Sequence, residues 1–218
     1  MPVRIVPKNY RNLTGLANSS KSKSAFFEST LERDCISLLE FDTNVEYYDV
    51  QPICIEWKDS AGKCRTYTPD VLVTYKKSFN GYKPYSTVLC EVKYRNDINK
   101  NWEDFKPKFK AAISYAKARG WRFKILTEVE IRTTFMENAR FLLPYLNNEL
   151  DESYEFLLRT KLQELRECSI EALLNSVFHD KWSQAELIPC LWQLIAMRRI
   201  STDLTQPLTM SSKIWSLV

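Results

Sequence analysis

The chain has 218 residues, of which 44% are hydrophobic and 13% aromatic, and its formal net charge is +4. So much apolar surface excludes a disordered chain and predicts one sizeable core, or one core with a small additional domain. His179 is the only histidine. Catalytic or zinc sites built from two histidines are therefore excluded, and carboxylates and lysines are the candidates for any chemistry.

The sequence favours a cytoplasmic protein. None of the six cysteines belongs to a Cys-x-x-Cys pair, which is typical of reduced thiols rather than of a zinc site or a disulfide framework. No apolar run approaches the ~20 residues of a membrane span, and the N-terminus has no apolar signal segment. We therefore expect a soluble protein without membrane contact.

Apolar periodicity predicts an α/β arrangement over the first two thirds of the chain. Helical spacing extends over residues 25–41, and a second helix is predicted from about 102 to 119, where Gly120 is a typical helix end. The extended segments are 45–57, 64–68, 71–75, 87–94 and 122–127, with a hairpin between 53–57 and 64–68 and a loop or hairpin tip at 76–85.

The segment 87–94 is the most apolar of these strands. Both of its faces are apolar apart from Glu91 and Lys93, so we expect it to be central in the sheet. The helix that separates it from the strand at 122–127 predicts a crossover connection, and therefore a parallel pair.

The C-terminal part is predicted to be a separate domain. Amphipathic helices are indicated at 154–167, 170–178 and 184–199, and two short strand-like runs lie within 200–215. Three helices followed by a small hairpin are typical of a winged helix, a module that binds DNA or other proteins. Because this domain is acidic overall, we favour protein contact with some DNA contact. With a polar boundary at 147–153, the predicted parts of the chain are 1–24, 25–148 and 149–218.

Basic residues concentrate in two segments. Residues 1–24 have five basic and no acidic side chains and are predicted to form a flexible arm, while 91–124 have ten basic and four acidic side chains. Lysines interleaved with aromatic residues suit a polyanion such as DNA, although a solvated helix face explains them equally well. The candidate phosphate contacts are Arg4, Lys8, Arg11, Lys21, Lys23, Arg95, Lys106, Lys108 and Lys110.

The residues with the clearest chemical potential are Asp70, Glu91 and Lys93. Side chains at i and i+2 of a strand share a face, so Glu91 and Lys93 are expected to project together. Asp70 begins a neighbouring strand and supplies a second carboxylate. Two carboxylates this close repel unless a cation lies between them, and hard oxygen ligands of this kind select Mg²⁺ or Mn²⁺.

A third carboxylate lies in the first predicted helix. On a helical projection, Glu28 and Glu32 both fall within the apolar arc of that helix. Glu32 therefore either points to a polar site or forms a salt bridge to Lys93 or another base. The pattern alone leaves both interpretations open.

These residues also resemble a known family. A helical Glu, a Pro-Asp and a Glu-x-Lys in this order are similar to the restriction-endonuclease-like nucleases, and a longer ordered string resembles TnsA, the endonuclease subunits of heteromeric bacterial cut-and-paste transposases. The matching segments are Ser29-Thr-Leu-Glu-Arg-Asp34, Leu38-Leu-Glu-Phe-Asp42, Gln51-Pro52, Tyr67-Thr-Pro-Asp70, Glu91-Val-Lys-Tyr94 and Leu126-Thr-Glu128.

The resemblance implies a fold and an active site. The fold would be α/β, with a restriction-endonuclease-like catalytic core of a mixed sheet flanked by helices at 25–148 and a helical, winged-helix-like domain at 149–218. The catalytic residues would be Glu32, Asp70, Glu91 and Lys93. The cofactor would be Mg²⁺, with Mn²⁺ as a substitute, held by Asp70, Glu91, Glu32 and the carbonyl of Val92.

The resemblance also implies a function in the bacterial cytoplasm. The protein would hydrolyse phosphodiesters at the 5′ ends of a transposon in double-stranded DNA, while a partner transposase, TnsB, cuts the 3′ ends. An AAA+ regulator, TnsC, is a further partner. Two alternatives are a stand-alone restriction or repair nuclease, and a non-catalytic DNA-binding assembly subunit.

Overall fold

The computed structural model describes residues 15–17, 19–59, 61–76 and 87–216. The chain forms two compact units, one up to Ile131 and one from Arg132. In the first unit, the elements are β1 (Gly15–Ala17), β2 (Ala25–Phe27), α1 (Thr30–Phe41), β3 (Val45–Val50), β4 (Ile55–Lys58), β5 (Cys64–Tyr67), β6 (Val71–Tyr75), β7 (Val88–Val92), α2 (Arg95–Lys100), α3 (Trp102–Ala118), β8 (Arg122–Leu126) and α4 (Glu128–Ile131).

A mixed four-stranded sheet in the order β3-β6-β7-β8 organises the first unit. The first two pairings are antiparallel, and β7 pairs with β8 in parallel through the crossover that contains α3. All five residues of β7 are buried. The central position predicted for this strand and its parallel partner are therefore confirmed, as is the mixed sheet.

The two faces of the sheet bury different helices. Val88, Cys90 and Val92 pack on α1, while Leu89 packs with Phe109 of α3 in a second core. The strand period of two thus divides β7 between two cores, and it places Glu91 on the same face as Leu89. The predicted helix at 102–119 is confirmed, and α2, a short helix before it, was not predicted.

The N-terminal part of the first predicted helix is a strand instead. Residues 25–27 form β2, which pairs antiparallel with β1, and helix α1 begins only at Thr30. Ser29 ends the strand segment because its side chain accepts a hydrogen bond from the Glu32 N–H and caps the helix. Phe27 lies four residues before Leu31, which is the spacing of apolar residues in a helix. The predicted helix was therefore extended by coincidence across the Ser29 cap into β2.

The described part of the predicted flexible arm, residues 15–17 and 19–24, has defined structure. Besides β1, the segment 19–24 is described and is bound to α1 through serines: Ser19 and Ser20 donate hydrogen bonds to the Glu40 carboxylate. Residues 1–14, which include Arg4, Lys8 and Arg11, lie outside the described residues, as do 77–86 of the loop predicted at 76–85.

Lys21, a candidate phosphate contact, binds backbone carbonyls in the structure. Its ammonium group donates to the carbonyls of Leu39, Glu40 and Asp42, at 3.0, 2.6 and 2.6 Å. These carbonyls lie at the C-terminal end of α1, where backbone acceptors lack helical partners. Because all three ammonium hydrogens are used, Lys21 is a helix cap, and we remove it from the DNA-contact set.

Replacing this cap should reduce stability without affecting DNA binding. We expect Lys21→Met to lower the free energy of unfolding by about 1–2 kcal/mol, because three carbonyls lose a charged donor. Lys23→Met, at an exposed position two residues away, is the control and should leave it unchanged. Denaturant titration measures both variants. An unchanged stability together with weaker DNA binding for Lys21→Met would restore the phosphate assignment.

The second unit combines helices with a small sheet. Its elements are α5 (Thr134–Leu142), a 3₁₀ helix (Leu143–Asn147), α6 (Glu152–Leu165), β9 (Glu167–Ser169), α7 (Ile170–Val177), α8 (Lys181–Ala196), β10 (Ile200–Thr202) and β11 (Lys213–Ser216). The sheet is antiparallel in the order β10-β11-β9. The three predicted helices and two strands are present, whereas β9 replaces the predicted end of the first helix at residue 167.

The two units divide at residue 131, before the boundary predicted near 148. Residues 132–148 pack within the second unit, because the buried amide of Asn138 donates to the carbonyls of Leu204 and Gln206 and accepts from the Leu208 N–H. The apolar periodicity of residues 132–148 did not indicate these long-range hydrogen bonds of Asn138. Among the described residues, no helix is long and apolar enough to cross a bilayer.

Candidate active site

Asp70 and Glu91 are neighbours at the ends of two adjacent strands. The antiparallel register pairs Val71 with Cys90, which sets Asp70 level with Glu91. The Val92 N–H donates to Asp70 Oδ2 at 2.7 Å and fixes that carboxylate against β7. The two carboxyl groups are close enough for the charge of Glu91 to raise the pKa of Asp70.

Lys93 completes the cluster. Its Nζ lies 3.8 Å from Asp70 Oδ2 and 3.6 Å from Glu91 Oε1. The structure therefore brings together the three residues that the sequence singled out, with Glu91 and Lys93 projecting to the same side as their spacing predicted. We call this group the acid–lysine cluster.

Tyr67 is part of this site and sequence reasoning missed its role. Its hydroxyl donates to Glu91 Oε2 at 2.6 Å, so that Tyr67 and Lys93 approach different oxygens of one carboxylate. Tyr67 belongs to the Tyr-Thr-Pro-Asp string, but its contact with Glu91 depends on how β5 lies against the sheet. No spacing rule in the sequence reports that placement.

The charges of the acid–lysine cluster oppose one another. Burial, then the negative charge of Glu91, raises the pKa of Asp70 to about 7. Burial also raises the pKa of Glu91, although Lys93 counteracts it. Burial by itself would lower the pKa of Lys93, but Asp70 and Glu91 outweigh it and raise that pKa. The two carboxyl groups therefore favour a shared proton or a cation over two uncompensated charges.

Glu32 lies close to this cluster, but its carboxylate is bound elsewhere. It accepts from the Ser29 hydroxyl at 2.9 Å and from the Glu28 N–H at 2.8 Å, in an arrangement related to a capping box. Burial, then the charge of Asp70, raises the pKa of Glu32. Of the two interpretations that the sequence left open, the described residues show no salt bridge from Glu32 to Lys93, and Glu32 instead lies beside a polar site that contains Asp70 and Lys93.

A cleft of about 690 Å³ opens next to these residues. Its lining includes Glu28, Glu32, Val92 and Lys93 from the site, and Phe105 from α3. The cleft therefore gives Lys93 access from outside. It extends from the acid–lysine cluster to α3, the helix that contains Lys106, Lys108 and Lys110.

Four of the remaining candidate DNA contacts, Arg95, Lys106, Lys108 and Lys110, lie on α2 and α3. Arg95 pairs with Glu130 at 3.5 Å, Lys106 with Glu103 at 4.0 Å, and the Lys108 ammonium lies 5.5 Å from the ring centre of Phe105. Lys23 and Lys110 are exposed. The two ion pairs are surface pairs of the kind that exchange readily with solvent or phosphate.

Among the described residues, no group of three or more His, Cys, Asp and Glu side chains is arranged to hold a metal ion. Asp70 and Glu91 meet at Lys93, and Glu32 lines the cleft together with Lys93, so its role as a third carboxylate stays a prediction. Two carboxylates still suit Mg²⁺, which commonly retains several water ligands and is bound through one or two carboxylates.

Two family models together cover most of the chain. The model described as TnsA-like endonuclease N terminal matches residues 42–128, and the model described as TnsA endonuclease C terminal matches residues 130–204. The chain belongs to the TnsA endonuclease family. The first TnsA match contains Asp70, Glu91 and Lys93, whereas Glu28 and Glu32 precede it. No curated protein matches the chain.

Removing the Tyr67 hydroxyl should test whether it positions Glu91 for TnsA-type chemistry. We expect Tyr67→Phe to reduce DNA cleavage about tenfold, because loss of a residue that hydrogen-bonds to a metal ligand typically has an effect of this size. Tyr48→Phe is the matched control, since its buried hydroxyl also contacts a carboxylate, Glu40, at 3.2 Å.

Tyr67→Phe loses one hydrogen bond, to Glu91, and Tyr48→Phe loses the contacts with Ser19 and Glu40, so each unfolding free energy should fall by about 1–2 kcal/mol. Only Tyr67→Phe should slow cleavage. Equal cleavage rates for the two variants would show that the Tyr67 contact serves stability alone.

Proposed function

We propose that this chain is a Mg²⁺-dependent DNA endonuclease subunit of a transposase, which hydrolyses phosphodiesters at the 5′ ends of a transposon together with a partner transposase. The observation that supports it most is the convergence of Asp70, Glu91 and Lys93 in one cluster, with Lys93 Nζ within 4 Å of both acids. Membership of the TnsA endonuclease family supports the same reaction class.

Asp70 and Glu91 are the proposed ligands of Mg²⁺, or of Mn²⁺ in its place. The Val92 carbonyl and Glu32 are proposed as further ligands that help the acid pair to hold the ion. The chemistry that a bound ion supplies is neutralisation of charge on the phosphate and acidification of water. Two acids that share the neighbour Lys93 and have raised pKa values are a donor set that gains from such a cation.

Lys93 is proposed to assist the reaction directly. Its ammonium group is kept charged by the two acids, so it can orient a water molecule and stabilise the negative charge that develops on the phosphate. The water oxygen bonds to phosphorus while the bond from phosphorus to the 3′ oxygen breaks. The products would be a 5′-phosphate and a 3′-hydroxyl.

DNA is proposed to lie along the basic helix at the mouth of the cleft. Neutralising Lys106, Lys108 and Lys110 together should weaken DNA binding and reduce the slope of log K against log salt by about 0.9 for each lost phosphate contact. Binding isotherms at several salt concentrations measure this slope. Lys21→Gln provides the control with no phosphate contact, and an unchanged slope in the triple variant would assign these lysines to a solvated face.

The second unit is proposed to be a winged-helix-like module that contacts protein partners. Its three helices α6, α7 and α8 and its three-stranded antiparallel sheet support this assignment. The proposed partners are the transposase TnsB and, as regulator, the ATPase TnsC, in the cytoplasm of a bacterium.

Co-purification with a candidate transposase and strand-specific mapping of cuts on donor DNA would test the proposal. We expect little specific cleavage from this chain alone, and cuts at the 5′ ends of the transposon once the transposase is added. Vigorous, sequence-specific double-strand cutting by the isolated chain would instead favour a stand-alone nuclease.

A further inference from the structure

Gln51 combines two unfavourable features at one position beside the acid–lysine cluster. Its backbone has φ = 47°, in the left-handed region that residues other than glycine seldom adopt. Gln51 is only 7% exposed, and its buried side-chain Oε1 has no hydrogen-bond partner in the described part of the chain. Buried polar atoms are normally paired, and strained residues concentrate at functional sites.

The contacts of Gln51 reach the candidate active site on two sides. Its N–H donates to the Asp70 carbonyl at 2.8 Å, immediately before β6. Its Nε2 donates to Glu28 Oε1 at 2.6 Å. A single residue therefore ties the backbone of one candidate metal ligand to the side chain of a further acid.

Glu28 is itself joined to the site. It lines the cleft together with Glu32 and Lys93, and its N–H donates to Glu32 Oε2 at 2.8 Å. Its charge is close enough to Asp70 to contribute to the raised pKa of that carboxyl. Three separate segments are therefore held in one arrangement: the start of α1 with Glu28 and Glu32, the turn at Gln51, and the start of β6 at Asp70.

We propose that Glu28 and Gln51 are a positioning pair of the nuclease site, in which Gln51 fixes the Asp70 backbone and orients the Glu28 carboxylate toward the divalent-cation position. This inference rests on the proposed nuclease function. A residue needed only for the chain turn would be a glycine, which adopts positive φ without strain and leaves no amide oxygen unpaired. The Gln51 amide is explained by its hydrogen bond to the Glu28 carboxylate.

Exchanging the two side chains separates positioning from stability. Gln51→Glu places a second carboxylate against Glu28 and should lower the melting temperature. The double variant Glu28→Gln with Gln51→Glu restores a carboxylate–amide pair of nearly the same volume, with its ends reversed, and should recover the melting temperature. Glu28→Gln alone preserves the shape and removes the charge.

The readouts are Mn²⁺ affinity of the isolated chain, measured by electron paramagnetic resonance, and cleavage with the transposase present. We expect Glu28→Gln to weaken Mn²⁺ binding and to slow cleavage by about tenfold each, and the exchanged pair to remain at that level despite its recovered stability. Glu40→Gln is the matched control, because Glu40 is a hydrogen-bonded acid at the opposite end of α1.

The outcomes are distinct from those that test the nuclease function. Wild-type Mn²⁺ affinity and cleavage in Glu28→Gln, or their full recovery in the exchanged pair, would overturn the inference and leave Glu28 and Gln51 as a structural contact. Asp70→Asn, measured in parallel, reports on the proposed function itself. If it retains cleavage, the nuclease assignment fails; if it alone loses cleavage, only the positioning pair fails.

Discussion

Asp70→Asn is expected to reduce DNA cleavage by roughly three orders of magnitude or more, because it removes one of the two carboxylates that form the proposed cation site. The amide retains an oxygen that can accept the Val92 N–H, which donates to Asp70 at 2.7 Å, so the fold should persist. Cleavage of transposon-end DNA with the transposase present measures the effect. Cutting in Mg²⁺ at a rate near that of the wild type would refute the active-site assignment.

The same variant should change how stability depends on pH. The folded pKa of Asp70 is raised to about 7, above its ordinary value of about 3.9, so the native state binds its proton more tightly than the unfolded state. Wild-type stability without metal therefore falls as pH rises from about 4 to about 7, and the loss is complete above that range. Asp70→Asn lacks this loss.

Melting temperatures with and without Mg²⁺ test this pH dependence. Without metal, Asp70→Asn should gain stability relative to the wild type between pH 5 and pH 8, because it avoids the repulsion of two buried carboxylates. With Mg²⁺ at pH 8, only the wild type should be stabilised. An equal shift of both proteins by Mg²⁺ would place the cation elsewhere.

Much of the catalytic core was predictable because local patterns coincide with tertiary structure there. The apolar run 88–92 predicted a central strand, and the period of two put Glu91 and Lys93 on one side. Asp70 was grouped with them because it begins a neighbouring predicted strand, and the resemblance to TnsA supported that grouping. These three residues meet in the structure because strand register, which a sequence pattern does encode, places them together.

Three contacts that the sequence did not reveal are long-range and involve polar side chains. Tyr67 reaches Glu91, Gln51 reaches Glu28, and Lys21 reaches the end of α1 across segments far apart in the chain. Periodicity reports which face of an element is buried, but not which hydroxyl or amide meets a given carboxylate. For this reason Lys21 was assigned to DNA on charge alone, and Glu28 was noted only for its place on an apolar arc.

Lys93→Met is expected to abolish cleavage as Asp70→Asn does, but with the opposite effect on stability. The ammonium group lies 3.8 Å from Asp70 and 3.6 Å from Glu91, so its loss leaves two acids facing each other without a counter-charge. We expect the metal-free protein to lose about 1–2 kcal/mol at pH 8, less than for a fully buried pair because the Lys93 side chain is 32% exposed.

Mg²⁺ should reverse that loss of stability without restoring cleavage. A divalent cation between Asp70 and Glu91 replaces the missing positive charge, so Lys93→Met should gain more stability from Mg²⁺ than the wild type does. The cation cannot donate the hydrogen bonds that the Lys93 ammonium group donates, so cleavage by Lys93→Met should remain blocked. Lys124→Met, on the adjacent strand β8, is the control and should leave both properties unchanged. If Lys93→Met is destabilised and Mg²⁺ does not stabilise it, Asp70 and Glu91 form an ion-paired core cluster rather than a cation site.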